Sequence, residues 1–292
     1  MPVDHEIDSR NKNIQIYING SFYHRDEAKI SVYDSGFLMG DGIWEGLRLV
    51  NNKWIFIDEH IDRLFEGCKA IDLDIKMTKE DIVNALDETK TINNMSNEVH
   101  ARLMITRGNK SKPFQQPHLS ESGINIVIIM EHSKPSIDVK NITMATVPQV
   151  RGMPMSQDPK LNSHSKLNCI LACIQANKLG ADEALMLDPL GFVNTTNSCN
   201  FFIVKNNQVW TSTGDYCMNG VTRQNIINLC KENDIPIYEK NFSLVDVYSA
   251  DEAFITGTLG SLTNVTSIDN RNIGKDNNPI SDKLRNYYKK LL

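Results

Sequence analysis

Residues 182–223 decide how this 292-residue chain is read: D-E-A-L-M-L-D-P-L-G-F-V (182–193), N-T-T-N-S-C-N-F-F-I-V (194–204) and V-W-T-S-T-G-D-Y-C-M-N-G-V-T-R (209–223). Apolar and β-branched runs bounded by Asp188-Pro189-Leu190-Gly191 and Asn206-Asn207 read as short strands joined by tight turns. The stretch ends in Asn219-Gly220-Val221-Thr222-Arg223, where a helical pattern begins and runs to Asn233. Gly220 lets the backbone approach an anion closely. Thr222 is read as the residue that opens the helix, where outward N–H groups carry partial positive charge.

Outward from this stretch the pattern stays mixed. A strand is expected at Ile142–Val150, then a polar, Pro-containing loop R-G-M-P-M-S-Q-D-P-K-L-N-S-H-S-K (151–166). A helix follows at Leu167–Leu179, stopped by Gly180, and a closing helix at Asn278–Leu292 starts at Pro279. In the first half, Asn13–Ile18, the Asn19-Gly20 turn and Ser21–Tyr23 read as a hairpin, and Gly46–Val50 with Lys53–Ile57 as a second. Asp58 is expected to cap a helix with Ile61, Leu64, Phe65, Cys68 and Ile71 on one face, and Thr78 to cap another. Glu98–Thr106 and Ile124–Met130 read as strands, and polar H-S-K-P-S (132–136) as a linker. The expected organisation is a smaller α/β domain over 1–131, a linker over 132–140 and a larger α/β domain over 141–292.

Bulk composition narrows the function. Net charge is −5 and the only basic run is the terminal Lys289-Lys290, which argues against nucleic acid. No stretch approaches the ~20 apolar residues of a membrane helix. The N-terminus, M-P-V-D-H-E-I-D-S-R, lacks a signal-peptide core, and the six cysteines form no C-x-x-C pair, so buried free thiols and a cytoplasmic location are expected. No metal site is expected.

Five segments, in order, carry a resemblance. G-D-G-I-W-E-G-L-R (40–48), E-H-I-D-R-L-F (59–65), A-R-L-M-I-T-R-G (101–108), N-G-V-T-R (219–223) and T-G-T-L-G-S-L-T-N-V (256–265) are similar to motifs of the class IV, or fold-type IV, aminotransferases. The opening stretch resembles that family's central signature. The resemblance implies a two-domain α/β (α+β) fold like that of the D-amino-acid aminotransferases, a homodimer, and pyridoxal phosphate as cofactor. It implies a phosphate grip made by Arg63, Gly220, Val221, Thr222, Thr258 and Leu259. The physics of Gly220 and of a helix N-terminus is consistent with that, and Arg63 adds a permanently charged, bidentate donor.

Two positions depart from the family pattern. The family places a glutamate against the cofactor's ring nitrogen five residues before the Asn of its N-x-F motif; here that position is Thr195, which cannot hold the charge, with Asn194 or Asn197 as possible stand-ins. The lysine that bonds the cofactor falls, without gaps, at Leu161 or Asn162, flanked by Lys160 and Lys166. If the segment is extended, Lys160 faces the same way as Asn162; Lys166 occupies the position of a family tyrosine. Both lysines are candidates for the catalytic amine, and His164 for an acid or base.

On the substrate side the resemblance implies Trp44, Arg48, His100, Arg102 and Met39 as binding residues. The loop K-P-F (112–114) lacks the R-x-H carboxylate trap of the D-amino-acid branch. The expected activity is transamination of a small amino acid or 2-oxo acid, nearer the branched-chain enzymes. Thr195 keeps a lyase of the aminodeoxychorismate-lyase kind open. The displaced lysines keep a PLP-independent enzyme or binding protein on the same scaffold open.

Overall fold

The structure is a computed structural model that describes residues 8–133, 141–274 and 278–292. The described residues divide into two compact units: 8–133 with 162–166, and 141–161 with 167–274 and 278–292. The expected linker, 132–140, falls for the most part outside the described residues. The expected boundaries also miss one feature: residues 162–166, deep in the second half of the sequence, pack with the first unit.

The N-terminal unit begins with β1 (Gln15–Ile18) and β2 (Ser21–His24), the hairpin read at Asn19-Gly20. A short helix α1 (Ser35–Met39) leads into β3 (Gly42–Val50), β4 (Lys53–Trp54), helices α2 (Ile57–Ala70) and α3 (Lys79–Ile92), then β5 (Val99–Thr106) and β6 (Asn125–His132). The sheet order is β2-β1-β6-β5-β3-β4, antiparallel throughout. The second hairpin is shorter than its sequence suggests, because Ile57 already begins α2. Phe56 in a left-handed conformation, not Asp58, precedes that helix. Thr78 caps α3 with a reciprocal bond to Asp81, as expected.

Period-two alternation gives this sheet two faces. Ile43, Leu47 and Leu49 of β3 and Val99, Ala101, Leu103 and Ile105 of β5 are buried together with Ile61, Leu64 and Cys68 of α2 and Ile82 and Leu86 of α3. The other face carries, in cross-strand register, Trp44 beside Met104, Gly46 beside Arg102 and Arg48 beside His100. β6 extends these rows with Val127, Ile129 and Glu131.

The C-terminal unit contains β7 (Ile142–Thr146), α4 (Pro154–Gln157), α5 (Leu167–Lys178), β8 (Glu183–Leu187), β9 (Val193–Thr196), β10 (Asn200–Lys205) and β11 (Gln208–Thr211). It continues with α6 (Val221–Glu232), β12 (Ile237–Glu239), α7 (Leu244–Tyr248), β13 (Glu252–Gly257), β14 (Ser261–Ile268), β15 (Arg271–Asn272) and α8 (Pro279–Lys289). The strand path β12-β11-β10-β13-β14-β7-β8-β9 closes on itself where β9 pairs back onto β10. One face of that closed path holds Leu185, Val193, Phe201, Ile203, Ala253, Ile255 and Val265 in a continuous core. On the other face α5 packs on β7 and β8, while α6 and α8 pack on β13 and α8 also on β14. Gly180, at φ +77°, ends the α5 segment as its position suggested.

Candidate functional site

In the C-terminal unit the opening stretch of sequence builds a polar corner. Asn200 of β10 pairs with Thr195 of β9 on one side and Thr256 of β13 on the other, so three short polar side chains share one row of the sheet. This row ends at the first turn of α6. Gly220 is the residue before that helix and supplies no side-chain cap, so the N–H groups of the first turn are left for another acceptor. Asn200 Nδ2 donates to the Met218 carbonyl at 2.9 Å, fixing the loop that enters α6. A Cβ at Gly220 would collide with Asn200 Oδ1, which is why the position needs glycine.

The helix opens at Val221 rather than at Thr222. The Thr222 hydroxyl is buried, 3.4 Å from Tyr288 on α8, so its contribution to the corner is its backbone N–H. Arg223 is spent on structure: its Nη2 donates to the Ser212 carbonyl at 2.7 Å and to Glu239 at 2.8 Å. Thr258 and Leu259 lie in the β13–β14 turn, which follows Thr256 and Gly257 at the end of β13. Thr256 Oγ1 is buried and, among the described residues, has no hydrogen-bond partner. A buried hydroxyl without a partner beside an uncapped helix start suits an anion with several acceptor oxygens, such as a phosphate monoester. Asn200 and Thr256 were not singled out from sequence. Both lie inside quoted motifs, N-x-F and T-G-T, and only the strand register shows that they face the corner.

The position that the resemblance assigns to the ring nitrogen carries no carboxylate. Thr195 is buried and donates its hydroxyl to the Cys199 carbonyl at 2.6 Å. Asn197 cannot stand in, because its Oδ1 accepts the Ala184 N–H at 2.9 Å. Asn194 lies next to a register shift of β8 on β9, and its buried Oδ1 has no partner among the described residues.

In the N-terminal unit, residues 162–164 add a short antiparallel pair to the free length of β3. Trp44 N–H donates to the Asn162 carbonyl at 3.0 Å and His164 N–H to the Gly42 carbonyl at 2.9 Å. The indole Nε1 of Trp44 donates to the Ser163 carbonyl at 3.1 Å. Alternation along this segment puts Asn162, His164 and Lys166 on the open face of the sheet, with Trp44. Lys166 Nζ lies 5.7 Å from the Trp44 ring centroid and the Arg102 guanidinium 4.0 Å from it. Lys160 is placed otherwise. It is exposed in a turn in which Leu161 N–H donates to the Asp158 carbonyl, and it belongs to the other unit. The extended geometry that would align Lys160 with Asn162 is therefore not formed.

The charges on the open face are unusual. Arg102 is partly buried, its pKa is lowered by that burial, and it has no hydrogen bond or ion pair with any described residue. His100, beside it, is held neutral: burial first, then the charges of Arg102 and His60, push its pKa down to about 4. His164 is also pushed below the ordinary histidine range, mainly by burial. Its Nε2 is buried and has no partner among the described residues. Arg48 is buried on the same face, opposite His100, and Met39 ends α1. Arg107 is structural: it is forked onto Asp41 and donates to the carbonyls closing α2. Among the described residues no cluster of His, Cys, Asp or Glu could hold a metal ion. No helix of the described residues is long and apolar enough to cross a membrane.

The sequence profile of the family described as amino-transferase class IV matches residues 42–268. The chain belongs to the class IV aminotransferases. Branched-chain-amino-acid aminotransferase-like protein 2 of Arabidopsis thaliana is 36% identical over 96% of this chain. The chain spans about half of that relative's length, 51%. A putative branched-chain-amino-acid aminotransferase of Methanocaldococcus jannaschii is 37% identical, covering 95% of this chain and 96% of that protein. Among solved structures, the branched-chain aminotransferase of the thermophilic archaeon Thermoproteus uzoniensis with norvaline matches with a TM-score of 0.87 at 27% identity, over 95% of this chain and 94% of that one. The class IV family uses pyridoxal phosphate, and the C-terminal corner fits the phosphate end of that cofactor. At the position the resemblance assigns to the ring nitrogen, this chain has Thr195 and no acid.

Proposed function

We propose that this class IV aminotransferase transfers an amino group between a small, branched-chain-like amino acid and a 2-oxo acid. The observation that carries the reading is Arg102: a partly buried cation stacked on Trp44 with no carboxylate partner among the described residues. A desolvated guanidinium is costly unless an anion completes it, and a substrate carboxylate does so bidentately. Trp44, His100, Arg48 and Met39 complete the substrate side. Relatives named as branched-chain aminotransferases favour transfer over elimination.

Pyridoxal phosphate, when bound, supplies the electron sink for bond breaking at the substrate Cα. Lys166 would hold the cofactor through its amine, and its Nζ would hold or move the proton at the substrate Cα. Its place on the open face, beside Trp44 and Arg102, supports Lys166 over Lys160. His164 offers Nε2 for a proton or a hydrogen bond. Val221 and Thr222 N–H groups, Gly220, Thr258, Leu259 and the Thr256 hydroxyl would hold the phosphate in the C-terminal unit. Thr195 would face the ring without fixing its charge.

The partner is a second copy of the chain, and the compartment a reducing cytoplasm, in keeping with the free thiols. Leu167, Ile170, Leu171 and Ile174, at i, i+3, i+4 and i+7 of α5, are exposed by 68%, 52%, 44% and 45%. Such an apolar stripe is characteristic of an interface. Light scattering reporting a monomer at working concentrations would remove the dimer. The activity is tested by adding a branched-chain amino acid to the cofactor-loaded protein without an acceptor. Conversion of the cofactor to its amine form, with release of the matching 2-oxo acid, is expected. Release of free ammonia with the cofactor unchanged would contradict transfer.

A further inference from the structure

The open face of the N-terminal sheet changes character across its width. On β3 and β5 it carries Trp44, Arg48, His100 and Arg102, and on β6 and β1 the rows continue as Val127, Ile129 and Ile18, with Ile16 on the same face by alternation. Register makes the change abrupt. Arg102 stands opposite Ile129, and Met104 stands between Trp44 and Val127.

Over the apolar part lies a cavity of about 550 Å³. Ile16, Ile18, Met104, Val127 and Ile129 line it from the sheet, and Ala28, Ile30 and Phe37 from the chain between β2 and β3. His164, two residues before Lys166, lines it as well. The charged groups around it are mostly engaged elsewhere. Asp34 accepts from the Gly36 and Phe37 N–H groups at Oδ1 and from Thr106 and Asn125 at Oδ2. Arg25 donates to the Asn11 carbonyl at 2.6 Å and lies 3.8 Å from Glu131. Lys29 is exposed. What this cavity offers a ligand is apolar surface.

A ligand held by its carboxylate at Arg102 has the cavity one strand away, since side chains directly opposite on neighbouring strands are about 5 Å apart. The volume is that of a whole small-molecule site, roughly 300–1,000 Å³. A branched aliphatic side chain, only a few carbons long, fills a small part of it. We propose that the substrate side chain runs from Arg102 past Ile129 and Met104 into this cavity, so that the site takes amino acids whose apolar side chain is longer than a branched one, unbranched or ending in an aromatic ring. The inference rests on the reading that Arg102 receives the substrate carboxylate.

The test reads binding and not turnover. The cofactor-loaded full chain is titrated by calorimetry with butanoate, hexanoate and octanoate, and with 4-methylpentanoate as the branched reference. Affinity is expected to rise about fourfold for each added methylene through octanoate, which binds roughly tenfold tighter than 4-methylpentanoate. Val127→Phe, which fills part of the cavity, is expected to weaken octanoate by roughly tenfold and butanoate far less. Arg102→Leu is expected to weaken every acid in the series. Affinity that stops rising at the branched acid, or a rise with length that Val127→Phe leaves intact, overturns the proposal; loss of butanoate binding in Arg102→Leu then leaves the carboxylate reading standing. Unchanged affinities in Arg102→Leu overturn that reading and the inference with it. Should Val127→Phe fail to fold, Ile18→Phe, opposite it on β1, takes its place with the same expected loss.

Discussion

Thr195 gives its hydroxyl proton to the carbonyl of Cys199 at 2.6 Å, within the strand pair that also carries Asn200. That bond ties the side chain to its own hairpin and leaves no ionisable group at the position. Replacing Thr195 by Glu is expected to raise the pKa of the bound cofactor's ring nitrogen, read by nitrogen-15 NMR across a pH series with labelled cofactor. Identical titrations in the two proteins would show that Thr195 does not face the ring. Thr195→Val, which removes only the hydroxyl, is expected to lose about 1 kcal/mol of stability in denaturant titration.

Thr256 is the converse case. Its Oγ1 is buried and, among the described residues, without a partner, so it costs stability in the empty protein and is offset only by a ligand. Thr256→Val is therefore expected to leave the free protein unchanged or more stable by about 1 kcal/mol, while lowering affinity for pyridoxal phosphate. Thermal melts with and without cofactor check both halves. A variant less stable when empty but unimpaired in binding would contradict the placement of this hydroxyl at the phosphate.

Arg102 should behave as a ligand-facing cation and not as a structural one. With no acid partner among the described residues, Arg102→Leu is expected to retain or raise the melting temperature. It is expected to weaken binding of a carboxylate substrate analogue by roughly ten- to a hundredfold, by calorimetry. A large loss of stability with unchanged analogue affinity would place Arg102 in the fold and not in the site.

His100 makes acid sensitivity partly predictable. Its folded pKa, about 4, lies below the ordinary histidine value near 6.5, so the unfolded chain takes up the proton first. Its contribution to stability is full above about pH 6.5 and lost progressively as pH falls towards about 4. His100→Gln should flatten the fall in denaturant midpoint over that window. An unchanged slope would show that His100 is not held neutral.

How much of this was readable in the sequence depended on the kind of signal. The glycine and the helix start of the polar corner were legible because they are local features, adjacent in the chain. The N-terminal hairpin and Thr78 cap were legible for the same reason. Asn200, Thr256 and Thr195 stand in line only because β10 pairs with both β9 and β13, a register no local pattern specifies. The lysines show the limit most clearly. Alternation aligned Lys160 with Asn162 and left it a candidate beside Lys166, but Lys160 lies inside a turn at Asp158–Leu161 and so outside the extended segment. Pairing of residues 162–164 with β3 is a contact across about 120 residues of chain, and it carries Lys166 onto the Trp44 face. Glu45 looked like one letter of a motif; it is buried on β3, accepting from Arg63 Nε at 2.7 Å and lying 2.7 Å from His60 Nδ1, which needed α2 laid on β3.

The role of Lys166 as the amine that carries the cofactor bears the most weight. Borohydride reduction of the cofactor-loaded chain, followed by peptide mass mapping of the adduct, reads that role without an activity assay. A single pyridoxyl adduct on Lys166 is expected, lost in Lys166→Ala and unchanged in Lys160→Ala. An adduct on Lys160, or no reducible adduct on a chain that has bound the cofactor, would contradict it.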